Sequence, residues 1–241
     1  MKAINAVIVT GNWASGKTEL TSALSQFLVR GNIPFVLDSD RIRFEDAVLK
    51  DTIEQRGAIR VGPHSYLTED GPPGKRKFMV RDGLIPNIAH REMISDIAKI
   101  GSHGPFRLLE YAVGPSIYEF EGEKREPPFL QEGKYLLEWL GEFGVLNKVL
   151  IVELLARVSI RYQRQKVRGD ATDFVAFSSF AGDGGELIRY KQQLGSKYIP
   201  FDNGDNGLQV FYDKARTIYE SFISPEVGKE RETFRGVEFE K

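Results

Sequence analysis

The stretch AVIVTGNWASGKTELTSALSQFL, residues 6–28, decides the fold of this 241-residue chain. It opens with Ala6–Thr10, a run of mostly β-branched residues that is typical of a buried strand. From Gly16 to Arg30, apolar residues recur every three or four positions, which predicts a helix with one face packed on a sheet. A strand that leads through a glycine-containing turn into a helix starts a βα unit, and such units build parallel sheets.

The turn between strand and helix reads GNWASGKT and matches G-x-x-x-x-G-K-[ST], the P-loop or Walker A pattern. Its glycines let successive backbone N–H groups point into one hollow, where the helix N-terminus adds partial positive charge. Lys17 can reach the β- and γ-phosphates of a nucleoside triphosphate, and the Thr18 hydroxyl can hold Mg²⁺. Trp13 is unusual because such loops are mostly built from small residues. The predicted nucleotide-binding residues of the loop are Gly11, Asn12, Trp13, Ala14, Ser15, Gly16, Lys17 and Thr18.

Further short apolar runs alternate with helix-period segments along the chain. They predict strands at Pro34–Asp38, Phe106–Val113, Lys148–Leu154 and Tyr198–Phe201. Helices are predicted near Pro86–Ile100 and from Leu208 to Phe222. This alternation predicts an α/β fold: a three-layer α/β/α P-loop domain around a five-stranded parallel sheet, with residues 1–241 as a single domain.

Two long segments interrupt the alternation. Residues 44–105 separate the second and third predicted strands by far more than a crossover needs, and we expect them to form an acceptor-binding insertion. Residues 156–186 carry four spaced arginines followed by a glycine-rich loop, and we expect a lid there. The alternative is that the long segments are decorative insertions.

The composition excludes several classes of protein. The net charge of −1 gives no overall field that would attract nucleic acid or an anionic membrane. Since the chain has no cysteine, disulfides, thiolate metal sites and thiol nucleophiles are excluded. No apolar run approaches the roughly 20 residues of a membrane span, and the N-terminal apolar run is too short for a secretory signal. We therefore expect a cytoplasmic protein without a membrane partner.

The segment VLDSDRIR at the end of the second predicted strand is the next candidate site. Its carboxylates lie at the rim of the sheet where the P-loop also lies, which is where ligands bind in open α/β sheets. Asp40 can accept the proton of an attacking hydroxyl, and Arg43 can clamp an anionic group of the acceptor. Asp38 is a second candidate for acceptor binding. The alternative is that Ser39 or Asp40 caps a following helix, and both roles are compatible.

With these motifs the sequence resembles the P-loop kinase group that includes adenylate kinase, adenylylsulfate kinase and the 5′-hydroxyl polynucleotide kinases. Adenylylsulfate kinases carry a similar Asp-Gly-Asp-x-x-Arg where this chain has DSDRIR. The resemblance implies that Arg43 contacts the acceptor in every case. It implies that Asp40 is the catalytic base only if the acceptor is a hydroxyl, as in polynucleotide kinases.

The segment ARVSIRYQRQKVR looks like the start of the lid in this group, where spaced arginines close over the transferring phosphate. Its arginines recur every three or four residues, so a helix would align them on one face. Arginine stays charged and binds phosphate oxygens in bidentate fashion. We select Arg161 and Arg164 as catalytic contacts. The alternative is a solvated basic helix face.

The resemblance implies two further site residues. Glu110, at the end of the third predicted strand, lies where P-loop proteins place a carboxylate near Mg²⁺, so Thr18 and Glu110 form the predicted metal site. Asn203 follows the fifth predicted strand, where the loop borders the adenine in these kinases. The chain lacks the Asn-Lys-x-Asp that recognises guanine, which argues against a GTPase switch. The resemblance fails over most of residues 44–105.

Four functions stay open. The first is an ATP- and Mg²⁺-dependent kinase that transfers the γ-phosphate to a hydroxyl of a small anionic metabolite or nucleotide-like acceptor. The second is a nucleoside monophosphate kinase. The third is a kinase acting on nucleic-acid ends or on a charged tRNA, which the lack of an overall positive charge does not favour. The fourth is a non-enzymatic nucleotide-dependent switch.

Overall fold

The structure is a computed structural model. It describes residues 4–12, 14–39, 59–62, 65–67, 84–100, 104–113, 118–120, 123–125, 133–169, 174, 185–204 and 207–224.

Most of the described residues belong to strands and helices that alternate along the chain. The strands are β1 (Ala6–Gly11), β2 (Phe35–Ser39), β3 (Ile59–Gly62), β4 (Ser65–Leu67), β5 (Phe106–Ala112), β6 (Tyr118–Phe120), β7 (Glu123–Arg125), β8 (Val149–Leu155) and β9 (Tyr198–Asp202). The helices are α1 (Lys17–Arg30), α2 (Leu84–Lys99), α3 (Gly133–Glu142), α4 (Val158–Arg168), α5 (Lys191–Leu194) and α6 (Leu208–Ile218). One π-helical turn, Tyr219–Ile223, continues α6.

Five parallel strands form the central sheet, in the order β2-β5-β1-β8-β9. β1 lies in the middle, and Gly11 at its end is level with Ala112 of β5 and Leu154 of β8. Because all five strands run the same way, their carboxyl ends meet at one edge, where ligands bind in open sheets. Two antiparallel hairpins, β3-β4 and β6-β7, are separate from this sheet.

Helices cover the two faces of the sheet with separate apolar layers. On one face Val7 and Val9 of β1 pack with Leu24 of α1 and Phe211 of α6. On the other face Ile8 packs in a cluster that includes buried residues of α2 and α3. Successive strand residues point to opposite faces, and β1 is buried along its whole length because both faces are covered.

The structure confirms the predicted three-layer α/β/α fold and its five parallel strands, whose ends differ from the predicted ones by a residue or two. The predicted helices correspond to α1, α2, α4 and α6. Helix α3 was not predicted, although Leu136, Trp139 and Leu140 form the buried stripe of an amphipathic helix. The hairpin strands have only three or four residues, too few for a periodic pattern to stand out.

The single domain, the insertion at 44–105 and the lid at 156–186 stay predictions. Within the insertion the described elements are hairpin β3-β4 and helix α2, and within the lid the main one is α4. In the described part of the chain, none of the helices combines the length and apolar character needed to cross a membrane.

Candidate functional site

The loop between β1 and α1 has a backbone that few residues can adopt. Gly11 has φ of +137° and Gly16 has φ of +100°, a region that strongly favours glycine. Space is also tight, because a Cβ on Gly11 would lie 2.6 Å from the Leu154 carbonyl oxygen, and one on Gly16 would lie 2.6 Å from Asn203 Nδ2. Both glycines of the motif are therefore required by conformation and by close contacts.

The loop leads directly into the start of α1. Gly16 occupies the N-cap and supplies no side-chain cap, so the first N–H groups of the helix keep their capacity to bind an anion. Lys17 Nζ donates to the carbonyl oxygens of Gly11 and Asn12, each at 3.1 Å. The ammonium group thus lies across the loop, where phosphate oxygens could replace those carbonyls as acceptors.

Beside the loop, a carboxylate of the sheet meets the hydroxyls of α1. Thr18 Oγ1 donates to Glu110 Oε2 at 3.1 Å, and Thr21 Oγ1 donates to Glu110 Oε1 at 2.5 Å. The structure therefore brings together the two residues of the predicted metal site. Thr21 is not among the predicted site residues, although its position one helical turn after Thr18 places both side chains on the same face of α1.

The oxygen atoms of this cluster are of the kind that Mg²⁺ prefers. Among the residues that the structure describes, no three His, Asp or Glu side chains gather as a metal site. A single carboxylate and a hydroxyl suit Mg²⁺, which usually keeps waters and substrate phosphates as its other ligands.

The end of β2 lies next to this cluster. Ser39 is paired with Glu110 in the sheet, and it is buried. Asp38 Oδ1 accepts a hydrogen bond from the Ser39 backbone N–H at 2.9 Å, a local turn-type contact. Asp38 thus lies at the carboxyl end of β2, the edge of the sheet where the sequence predicts acceptor binding. Three of the predicted site residues, Trp13, Asp40 and Arg43, lie outside the described residues.

Arg164 and Asn203 both donate hydrogen bonds to the loop between β1 and α1. Arg164 donates from Nη1 to Ala14 O at 3.2 Å and from Nη2 to Gly204 O at 2.9 Å. Asn203 is fully buried, and its Nδ2 donates to Ser15 O at 2.5 Å. Both predicted site residues thus touch the loop through its carbonyl oxygens.

The arginines of α4 occupy different environments. Arg161 is fully buried, and its Nε donates to Ala156 O at 2.9 Å. Arg168 is 46% exposed in its side chain and pairs with Glu19 of α1 at 2.7 Å. Regular spacing put these residues on one helix, but the neighbours packed against α4 decide how far each one is buried.

A groove of about 580 Å³ adjoins the loop, between the start of α1, α4 and α6. Its polar lining includes Gln163 and Arg164, and Phe211 lies among its apolar residues. Val167 and Leu208, on α4 and α6, also line it and are 88% and 74% exposed. Of the residues that line the groove, only Gly16 and Arg164 are predicted site residues, because the groove exists only once the two helices are placed.

A second glutamate lies on the opposite face of the sheet. Glu153 of β8 is fully buried, and its carboxylate accepts hydrogen bonds from Leu187 N at 3.1 Å and from Tyr198 Oη at 2.5 Å. Burial raises the pKa of Glu153, although the two hydrogen bonds work against that shift. Burial and the neighbouring carboxylate also raise the pKa of Tyr198.

No family model matches the chain, and no curated protein matches it. Several solved structures resemble this chain. One is a candidate kinase from Chloroflexus aurantiacus J-10-fl, which is 14% identical, with a TM-score of 0.49. The match covers 90% of this chain and 98% of that one. Another is a shikimate kinase from Acinetobacter baumannii bound to shikimate (11% identity, TM-score 0.48, 92% and 95% covered). A sugar kinase from Janibacter sp. HTCC2649 is also similar (10% identity, TM-score 0.46, 91% and 96% covered).

Proposed function

We propose that this chain is an ATP-dependent kinase that transfers the γ-phosphate to a hydroxyl of a small anionic metabolite or nucleotide-like acceptor. The observation that carries this proposal is the loop at the start of α1, with Lys17 across its mouth and the Thr18–Glu110 pair beside it. Such an arrangement suits a triphosphate because backbone N–H groups, an ammonium group and hard oxygen ligands converge on one hollow.

The donor phosphates would bind in the loop. Lys17 would exchange its contacts with Gly11 O and Asn12 O for phosphate oxygens, so that its charge offsets the charge that develops during transfer. Thr18 and Glu110 would hold Mg²⁺, with Thr21 fixing the Glu110 carboxylate. When bound, Mg²⁺ would neutralise charge on the phosphates.

The nucleotide base would lie in the groove between α4 and α6. Val167 and Leu208 are large apolar side chains left exposed at this groove, on two different helices. A planar base between them would remove apolar surface from water, while Gln163 offers an amide that can donate to and accept from the edge of the base. The loop and the groove share Gly16, so the base and the phosphates of one nucleotide could occupy both.

The acceptor would approach from the β2 edge of the loop, where Asp38 lies and after which Asp40 and Arg43 follow in the sequence. Arg43 would bind its anionic group, and Asp40 would take the hydroxyl proton as the acceptor oxygen forms its bond to the γ-phosphorus. The bond between the γ-phosphorus and the β,γ-bridging oxygen breaks, and ADP leaves. We further propose that residues 44–105 bind the acceptor and that residues 156–186, with Arg161 and Arg164, form the lid.

A panel of acceptors tests the proposal. Purified protein is incubated with ATP, Mg²⁺ and single hydroxylated metabolites, nucleoside monophosphates or oligonucleotides, and ADP formation is measured. We expect at least one hydroxylated metabolite to stimulate ADP formation, with loss of this stimulation in Lys17→Ala. Stimulation only by nucleoside monophosphates, or only by oligonucleotides, would support one of the other two kinases. ATP binding without stimulation by any acceptor would support a switch.

The role of Asp40 separates the two small-molecule kinases. In a hydroxyl kinase, Asp40→Asn removes the general base and should lower kcat by about 100-fold or more. A nucleoside monophosphate kinase phosphorylates an acceptor that is already ionised, so the same variant should keep most of its rate. Asp40→Glu serves as the matched control because it keeps a carboxylate.

A further inference from the structure

One residue of the phosphate loop has a backbone that its side chain disfavours. Ala14 has φ of +54°, in the left-handed region, where residues other than glycine are uncommon. Its neighbours in the motif with positive φ are glycines, for which that conformation carries no such penalty. A strained residue of this kind persists only where surrounding contacts hold it.

One such contact is local, since Ser15 N–H donates to Asn12 O at 3.3 Å, and the contact with the carbonyl group of Ala14 itself comes from α4. Arg164 Nη1 donates to Ala14 O at 3.2 Å and makes a longer contact with Ser15 O at 3.5 Å. Its other terminal nitrogen, Nη2, donates to Gly204 O at 2.9 Å and to Asn203 Oδ1 at 3.4 Å. The planar guanidinium therefore bridges the phosphate loop and the loop that follows β9, a geometry that its fixed fork of donors permits.

The second loop begins at Asn203, which has several contacts of its own. Asn203 is fully buried, its backbone N–H donates to Leu155 O at 2.7 Å, and its side chain donates to Ser15 O. Arg164 thus connects Ala14 to residues that are hydrogen-bonded at the end of the sheet. Its acceptors in these four contacts are three carbonyl oxygens and one amide oxygen, all neutral groups of the protein.

We propose that Arg164 is a positioning residue, which holds Ala14 in its left-handed conformation and thereby shapes the phosphate loop before a nucleotide binds. This proposal rests on the proposed function, since it assumes that the loop binds a nucleotide. Within the proposed lid, Arg164 would thus act through the backbone of the loop and not by contact with the transferring phosphate.

A double-mutant cycle on nucleotide affinity tests this proposal and needs no acceptor. The Kd of a fluorescent ADP analogue is measured for the wild type, Arg164→Met, Ala14→Gly and the double variant. Arg164→Met should raise Kd about tenfold, the order of the penalty for a non-glycine residue in the left-handed region. Ala14→Gly should change Kd less than about threefold, because glycine adopts that conformation without support.

The Kd of the double variant is the decisive measurement. In the double variant we expect Kd to return to within about threefold of Ala14→Gly alone, since glycine no longer needs the arginine. An equal loss from Arg164→Met in both backgrounds would overturn the proposal and indicate direct contact with the nucleotide. Wild-type protein that fails to bind the analogue would overturn the proposed function and this inference together.

Two further variants serve as an alternative substitution and as a control. Arg164→Lys keeps the cation but has one nitrogen, which cannot bridge both loops, so it should show the same loss and the same rescue even if Arg164→Met does not fold. Arg189→Met is the matched control, since it removes an arginine that is 62% exposed and pairs with Glu186, away from the loop, and it should leave Kd unchanged. A loss of affinity in that control equal to the loss in Arg164→Met would also overturn the assignment.

Discussion

Glu110 and Glu153 lie on the two strands that flank β1, yet they face opposite sides of the sheet. Glu110 is paired with Val9 of β1, whose side chain lies on the same face of the sheet as α1. Glu153 is paired with Thr10, the next residue of β1. Because strand residues alternate, this offset of one residue sends Glu110 to the hydroxyls of α1 and Glu153 into the apolar layer on the other face. Two carboxylates near the ends of neighbouring strands thus acquire different partners.

The surroundings of the two carboxylates differ accordingly. Glu110 is partly exposed and binds the hydroxyls of Thr18 and Thr21 at the rim of the proposed active site. Glu153 is fully buried and binds Leu187 N and Tyr198 Oη, tying β8, β9 and the segment after the predicted lid together. We propose that Glu110 serves activity, whereas the contacts of Glu153 stabilise the packing beneath the loop.

The largest expected effect comes from Glu153→Leu. Leucine would leave the Leu187 N–H and the Tyr198 hydroxyl buried without their acceptor, and each such group costs about 1–3 kcal/mol. We therefore expect the free energy of unfolding to fall by roughly 3 kcal/mol in urea denaturation. Glu153→Gln is the control that keeps an acceptor. Unchanged stability in Glu153→Leu would refute the role of Glu153 as an anchor.

Glu110→Gln should lower activity and leave stability nearly unchanged, the opposite of what we expect for Glu153→Leu. An amide cannot supply the negative charge that the proposed Mg²⁺ site needs, so we expect kcat to fall by about 100-fold once an acceptor is known. The unfolding free energy should change by less than about 0.5 kcal/mol, since the carboxylate is partly exposed. A measured loss of stability comparable to that of Glu153→Leu would contradict the division between the two glutamates.

A smaller effect is expected from Thr21→Val, which removes one of the two hydroxyls that hold Glu110. Because Thr18 still donates to the other carboxylate oxygen, we expect the concentration of Mg²⁺ for half-maximal activity to rise only about threefold to tenfold. Thr217→Val, on the outer side of α6, is a matched control whose Mg²⁺ dependence should equal that of the wild type.

The smallest expected effect is a change in the pH dependence of stability. Burial and the charge of Glu186 raise the pKa of Glu153, and the hydrogen bonds from Tyr198 and from the Leu187 and Glu186 backbones oppose this. Since the folded-state pKa is raised, the contribution of Glu153 is complete below the usual carboxyl pKa and is lost as the pH rises through its folded value. In Glu153→Gln, which does not titrate, that decline in unfolding free energy should disappear. A decline of equal size in both proteins would assign it to other groups.

The sequence by itself determined the loop between β1 and α1 and the parallel sheet. A strand, a Gly11–Thr18 loop and a helix are contiguous, so their geometry follows from local backbone preferences and from the periodicity of apolar residues. The resemblance to P-loop kinases predicted Glu110 near Thr18, and the two residues meet at the carboxyl edge of the sheet. For the contiguous strand, loop and helix, the spacing along the chain already contains the spatial relation.

Only the tertiary structure decided what each polar residue of the site touches. Helical spacing put Arg161 and Arg164 on one helix, but packing buries the first and directs the second to the Ala14 carbonyl, 150 residues away in the sequence. Likewise Glu153 acquires its partners from β9 and from Leu187, which the sequence does not place near it. Hydrogen bonds between distant segments depend on how helices and strands pack, and a periodic pattern specifies the face of an element without specifying its neighbour.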